Sequence, residues 1–221
     1  MDVSLDTDIT IHLYQADREE LLFKYFDKLY MHEFILEREI RNKSLAVYKR
    51  IKDEQKNGRI RIIDTKQLIE LGMKKTFEDN LYDIKELFDY GEANAVALAS
   101  TLGIAALVTD DTKDYGPHET LVKECVEDVI PFAFYELLYL EYLLSEDDFE
   151  GLKKEYEYIN YIAYPEHPMN FLSRIKRVVR RFTHKKGTNR DIQWMQEFCQ
   201  RNKVDYNCKM KLLLQHLKEI Q

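Results

Sequence analysis

The spacing of apolar residues changes several times along the first 135 residues, and each change marks a predicted element. Val3–Leu5 is a short apolar run that predicts a strand. After the polar Asp6-Thr7-Asp8, apolar residues continue at Ile9, Ile11 and Leu13. Asp17 is a residue type that caps helices, and Leu21, Leu22, Tyr25, Phe26 and Leu29 follow it at helical spacing. Residues 28–31 predict a brief second strand. A long helix is predicted over 33–56, with Phe34, Ile35, Ile40, Leu45, Val47, Tyr48 and Ile51 on its apolar positions and Asn57-Gly58 as its stop. Residues 59–64 alternate basic and apolar side chains, the period of a strand. Residues 65–90 return to helical spacing, with a break at Gly72.

The stretch 91–114 organises what surrounds it. Ala93, Ala95, Ala97 and Ala99 are small enough to let a helix lie close on a sheet, and Gly103 suits the left-handed position just past a helix end. Residues 104–108 form an unbroken apolar run, as in a strand covered on both faces. A helix over 117–125 and a last strand over 129–132 follow. Beyond about residue 135 the pattern is helical only: 137–144, a helix opened by Ser145 and Asp148 in a capping-box arrangement and running to about 163, then 169–182, 189–202 and 206–219. Alternation of strand and helix predicts an α/β fold, a three-layer α/β/α domain with a mostly parallel sheet over 1–145, followed by a helical extension over 146–221.

Composition narrows the function classes. The chain of 221 residues is 45% hydrophobic and 33% charged with only 7 Gly and 4 Pro, which suits helix-rich structure. A net charge of −7 argues against a protein that simply coats nucleic acid. Three cysteines (Cys125, Cys199 and Cys208) without a C-x-x-C motif predict neither a disulfide framework nor a zinc site. No apolar run approaches the roughly 20 residues of a membrane span. The first residues lack the basic and apolar regions of a signal peptide, so a reducing cytoplasm is the expected location.

The acids point to chemistry. Ligands of an open parallel sheet bind beyond the carboxyl ends of its strands. Asp6, Asp8, Glu92, Asp110, Asp111 and Asp114 all fall at predicted strand ends or helix starts. Crowded carboxylates repel one another, and hard divalent cations such as Mg2+ or Mn2+ relieve that repulsion through oxygen ligands. Such cations activate water for phosphodiester cleavage.

These motifs resemble those of the PIN-domain nuclease family, named for the PilT N-terminus, over about residues 1–135. Asp6-Thr7-Asp8-Ile9 is similar to the family's first strand end. Glu92 opens an Ala-rich helix with Ala97 and Ala99 in place, and Thr109-Asp110-Asp111-Thr112-Lys113-Asp114-Tyr115 is similar to its later strand end. The resemblance implies that Asp6, Glu92 and Asp114 are metal-site acids, with Asp111 close by. It also implies a second-helix Glu within the segment His32–Ile40. Simple spacing from His32 lands on Arg38, and Glu39 or Glu37 takes the role; both stay open. The implied activity is a metal-dependent ribonuclease, endonucleolytic in action, that leaves a 5′-phosphate and a 3′-hydroxyl. Relatives of this kind include toxins restrained by an antitoxin and RNA-processing enzymes. Single-stranded RNA, an antitoxin or other protein, and a second copy of the chain are therefore the partners to test.

Two alternatives share these residues. Asp6-Thr7-Asp8-Ile9-Thr10 also fits the D-x-D-x-T opening of haloacid-dehalogenase-like phosphatases, with Asp6 as nucleophile and Asp8 as general acid. A catalytically inactive PIN-like protein that only binds nucleic acid is the other.

The extension carries its own signal. Residues 167–190 contain no Asp or Glu and hold Arg174, Lys176, Arg177, Arg180, Arg181, Lys185, Lys186 and Arg190. Ile175, Val178, Val179 and Phe182 interleave with them at helical spacing. The expected use is to hold RNA phosphates through Arg174, Arg177, Arg180, Arg181, Lys185 and Lys186. An anionic membrane surface, or pairing with local acids such as Glu146, Asp147, Asp148 and Glu150, competes with it. Tyr135, Tyr139, Tyr142, Tyr156, Tyr158, Tyr161 and Tyr164 read as a packing seam, and Trp194 with Phe198 as core.

Overall fold

The structure is a computed structural model that describes residues 1–109, 126, 128–183 and 189–220. Asp110, Asp111, Asp114, Lys185, Lys186 and the helix expected over 117–125 lie outside the described residues. The chain divides into two compact units, Met1–Phe134 and Tyr135–Gln221.

The first unit is built on a sheet of β1 (Val3–Leu5), β2 (Leu29–His32), β3 (Ile60–Ile63), β4 (Ala106–Val108) and β5 (Ile130–Phe132). Its order is β3-β2-β1-β4-β5, and every described pairing is parallel. Register is set by Val3 opposite Leu29 on one side of β1 and by Leu5 opposite Val108 on the other. The sequence steps outward from β1 to β3 on one side, then returns to place β4 on the opposite side of β1. The order therefore reverses between β1 and β4, the kind of switch point where open sheets form a crevice.

Helices flank the sheet. They are α1 (Thr7–Gln15), α2 (Glu20–Tyr25), α3 (Arg41–Lys43), α4 (Leu45–Lys56), α5 (Thr65–Glu70), α6 (Lys74–Ile84) and α7 (Tyr90–Leu102). Helix α7 is buried along nearly its whole length, which its alanines permit. Ala93, Ala95, Ala97 and Ala99 are fully buried, and Ser4 Oγ of β1 donates to the Ala95 carbonyl at 2.8 Å. Gly103 ends the helix at φ 64°, ψ 34°, a left-handed conformation that costs glycine little. On the other side of α7, Ala97 and Leu98 pack with Ile63, Leu68 and Phe77.

Three expectations for this unit need correction. Asp17 does not cap a helix: it sits at φ 52°, its carboxylate accepts from Arg50 at 2.8 Å, and α2 starts only at Glu20. Residues 7–15 form a helix that the alternating Ile9, Ile11 and Leu13 had not announced. The single helix expected over 33–56 is divided. Ile35–Ile40 is a π-helical turn, and Ser44 adopts an extended conformation (φ −153°, ψ 98°) whose hydroxyl accepts from Val47 N to cap α4.

The second unit is helical: α8 (Phe134–Leu144), α9 (Phe149–Ala163), α10 (Phe171–Thr183), α11 (Asn189–Arg201) and α12 (Tyr206–Glu219). Its core holds Tyr139, Tyr142, Tyr156, Ile175, Val178, Phe182 and Leu213. Tyr139 stacks on Phe182 and its hydroxyl pairs with that of Tyr206 at 3.0 Å. Trp194 stacks on Phe198 at 5.4 Å. Tyr158 and Tyr161 are exposed, so they stand outside the seam. The start of α9 also shifts. Asp148, not Ser145, is its N-cap and accepts from Gly151 N, because the Ser145 hydroxyl is used in a turn, accepting from Asp148 N at 3.1 Å. Arg181 leaves the basic face altogether. It is buried, pairing with Glu136 at 2.6 Å and Asp191 at 2.7 Å. Arg177 and Arg180 are exposed, and Arg174 is half-buried with its guanidinium over the Tyr135 ring. No helix among the described residues is long and apolar enough to cross a membrane.

Candidate carboxylate site at the switch point

Asp6 follows β1 directly and Thr109 follows β4 directly, so the two strands flanking the switch point deliver them side by side. Asp6 is the N-cap of α1, with Oδ1 accepting from Thr7 N at 2.6 Å, and its carbonyl accepts from Thr10 Oγ1 at 2.5 Å. Its other oxygen, Oδ2, lies 3.1 Å from Thr109 Oγ1. The same hydroxyl lies 3.4 Å from Glu92 Oε1. A hydroxyl has one hydrogen, so it serves one of these carboxylates at a time. Glu92 is in the first turn of α7, where Asp89 caps the helix by accepting from Glu92 N at 2.9 Å.

Glu39 arrives from a different element. It lies in the π-helical turn, and its carboxylate accepts from the Thr7 hydroxyl. It also lies against Gly91: a Cβ on that glycine would collide with the Glu39 carboxylate, with no other atom so close. Gly91 is thus a close-approach position rather than a turn. Glu37, only two residues away, faces elsewhere. Its carboxylate accepts from Tyr48 at 3.1 Å and pairs with Arg41 and Lys52 at 3.6 Å. Of the two candidates in this segment, Glu39 is the one brought to Thr7 and Gly91, the residues next in the chain to Asp6 and Glu92.

A cation that the sequence did not single out completes the described cluster. Lys43 Nζ is 2.7 Å from Asp8 Oδ1, and Glu39 and Asp6 lie within its electrostatic reach. Burial opposes its charge, but the Asp8 hydrogen bond and the charges of Asp8, Glu39 and Asp6 hold its pKa above the ordinary lysine value. The available signal was helical spacing, since Lys43 is four residues after Glu39. Thr7 and Thr109 belonged to the quoted motifs, yet only the structure gives them work, as the hydroxyls between the acids.

Electrostatics concentrate on Asp6. Burial, then the neighbouring charges of Asp8 and Asp89, outweigh the hydrogen bonds from Thr7 and Thr109 and push its pKa up to about 8. A carboxyl in that state holds its proton until a cation or a base takes the proton's place. His32, at the end of β2, is a contrasting case. It is buried and stacked on Phe77 at 4.7 Å, and burial lowers its pKa to about 4, so it is a neutral core residue.

Hard oxygen donors of this kind suit Mg2+ or Mn2+ rather than a softer metal. Asp6 and Glu92 share the Thr109 hydroxyl, and Thr7 gives its N–H to Asp6 and its hydroxyl to Glu39; among the described residues no group of three or more Asp, Glu, His or Cys side chains is placed to hold a metal ion. Comparison with known proteins gave no match to any family model, curated protein or solved structure.

Proposed function

We propose that the chain is a metal-dependent ribonuclease of the PIN-domain type, cleaving single-stranded RNA at the switch point between β1 and β4. The observation that carries this reading is the pair of buried carboxyls, Asp6 after β1 and Glu92 in α7, that share the Thr109 hydroxyl at the strand ends, with Glu39 of the π turn held against Thr7 and Gly91, the chain neighbours of these two acids. A buried carboxyl with a pKa pushed up to about 8 at the strand ends of a switch point is a candidate functional group. Asp6, Glu39 and Glu92 would hold one or two Mg2+ or Mn2+ ions, with Asp111 and Asp114 as further ligands. A bound divalent cation supplies a water acidic enough to attack phosphorus and neutralises charge on the leaving oxygen. Thr109 and Thr7 orient the carboxylates, and Asp6 would have to give up its proton to hold a cation. Asp89 and Gly91 fix the start of α7, and so set where Glu92 can point.

The test is cleavage of labelled single-stranded RNA in Mn2+, with EDTA, Asp6→Asn and Glu92→Gln as controls. The expected result is cleavage in Mn2+ that each control abolishes. A small phosphomonoester is run in parallel. Its hydrolysis with a phospho-aspartate trapped on Asp6 would replace the nuclease with the haloacid-dehalogenase-like phosphatase. RNA binding without cleavage, and without Mn2+ uptake, would leave a PIN-like binding protein.

A further inference from the structure

We infer that Lys43 is the residue that receives the substrate's phosphate at this site, holding a backbone phosphate beside the carboxylates while Asp8 serves as its resting counter-ion. The inference rests on the nuclease reading above and extends it to a substrate-contacting residue. A phosphodiester approaching this site meets a cluster of acids, Asp8, Glu39 and Glu92 beside Asp6, and repulsion from carboxylates of its own sign opposes its arrival. Bound divalent cations answer part of that charge. A fixed cation at the rim is needed to draw the phosphate in and set its orientation.

Lys43 has the position for this. It is the last residue of α3, and the extended Ser44 after it turns the chain away into α4. Its ammonium reaches the cluster from outside, with its side chain 50% exposed and that of Asp8 54% exposed. An ion pair so open to water is held weakly and exchanges readily. Its partner is replaceable too, because Asp8 lies in the first turn of α1, where a carboxylate is already favoured by the helix dipole. A phosphate oxygen can take the place of the Asp8 carboxylate without leaving either group buried and uncompensated. Arg41 and Lys52, the neighbouring cations, are engaged with Glu37 on the other side of the turn.

A purely structural Lys43–Asp8 bridge and a phosphate-receiving Lys43 predict opposite outcomes for Asp8. The experiment uses the full chain with Mn2+ and a fluorescent, cleavage-resistant single-stranded phosphorothioate oligonucleotide, measured by anisotropy across a salt series. Mn2+ affinity is measured separately by calorimetry. Lys43→Met should weaken oligonucleotide binding about tenfold at low salt and reduce the salt slope by about 0.7, the loss of one phosphate contact on a single strand. Lys43→Arg should keep most of the affinity. Asp8→Asn should leave binding unchanged or strengthen it, because it frees the ammonium. Mn2+ affinity in Lys43→Met should stay equal or rise, since a competing cation is gone. Equal losses in Lys43→Met and Asp8→Asn would overturn the inference in favour of a structural bridge, as would wild-type affinity and slope in Lys43→Met. Wild-type protein that takes up no Mn2+ would overturn the site reading itself, and this role with it.

Discussion

The two units treat buried charge in opposite ways. In the helical unit, Arg181 is buried between Glu136 and Asp191, and Arg190 pairs with Asp191 as well at 3.1 Å, so two cations and two acids neutralise one another inside the chain. In the sheet unit, Asp6 and Glu92 are just as buried, and what lies between them is a threonine hydroxyl. The first arrangement is complete as the chain folds. The second sets two buried carboxyls about one hydroxyl, and burial there pushes the Asp6 pKa up to about 8. Buried charge alone does not mark a function; a carboxyl displaced in pKa at the strand ends of a switch point is the better candidate for one.

That contrast can be broken most sharply at Arg181. Arg181→Met strips Glu136 of its buried guanidinium and leaves Asp191 its pair with Arg190, and should cost about 3–5 kcal/mol, which is on the order of 10 °C in melting temperature for a chain of this size. Asp6→Asn removes a charge from the other cluster and should leave the metal-free protein as stable as wild type or more so at pH 8. Thermal melts of both variants in EDTA test the pair. A loss for Asp6→Asn comparable to that for Arg181→Met would show the two clusters to be alike.

The next test is pH. Unfolded Asp6 loses its proton near 3.8, while folded Asp6 keeps it to about 8. The native state therefore binds the extra proton between these values, and the contribution of Asp6 to stability is full below 3.8 and is lost as pH rises to about 8. Urea midpoints in EDTA at pH 5 and pH 8 should fall more for wild type than for Asp6→Asn. Parallel behaviour of the two proteins would contradict the raised pKa.

A finer instrument is Gly91→Ala. Alanine is favoured over glycine in a helix by up to about 1 kcal/mol, yet its Cβ takes the space of the Glu39 carboxylate. Melting should change little, while RNA cleavage should drop about tenfold or more, as when a group supporting a metal site is lost. The smallest effect is expected for Glu37→Gln. Its partners are surface cations and a tyrosine, so stability should move by no more than about 0.5 kcal/mol, with cleavage unaltered. Glu39→Gln should abolish it. Equal cleavage by these two variants would remove Glu39 from the site.

Much of the fold could be read from the sequence because burial on both faces of a sheet leaves a plain record. The apolar run before Thr109, the alanines of α7 and Gly103 each have one physical explanation, and parallel β1 and β4 follow from them. Asp6 and Glu92 were legible as acids placed at element ends. The choice between Glu37 and Glu39 was not, because it depends on the π turn at Ile35–Ile40. A π turn fits an extra residue into the helix, and this shifts which side chains face inward. Regular spacing from His32 points to Arg38, one position short of the acid that reaches Thr7. Arg181 was misplaced for a related reason. Helical periodicity assigns a face, but its burial depends on Glu136 and Asp191, which lie 45 residues before it and 10 after it.

The outer strands of the sheet have a consequence for the chain's behaviour at high concentration. An unpaired strand edge invites another molecule to add a strand and start an aggregate. Among the described residues the edge positions belong to β3 and β5, of 4 and 3 residues. The middle of β3 is the exposed Arg61, whose charge would be buried against an incoming strand. The middle of β5 is Pro131, which has no N–H to offer to one. Short length, a charge and a proline are the means by which natural sheets stay single, and replacing Arg61 and Pro131 with valine would leave these edges more open to pairing with another chain.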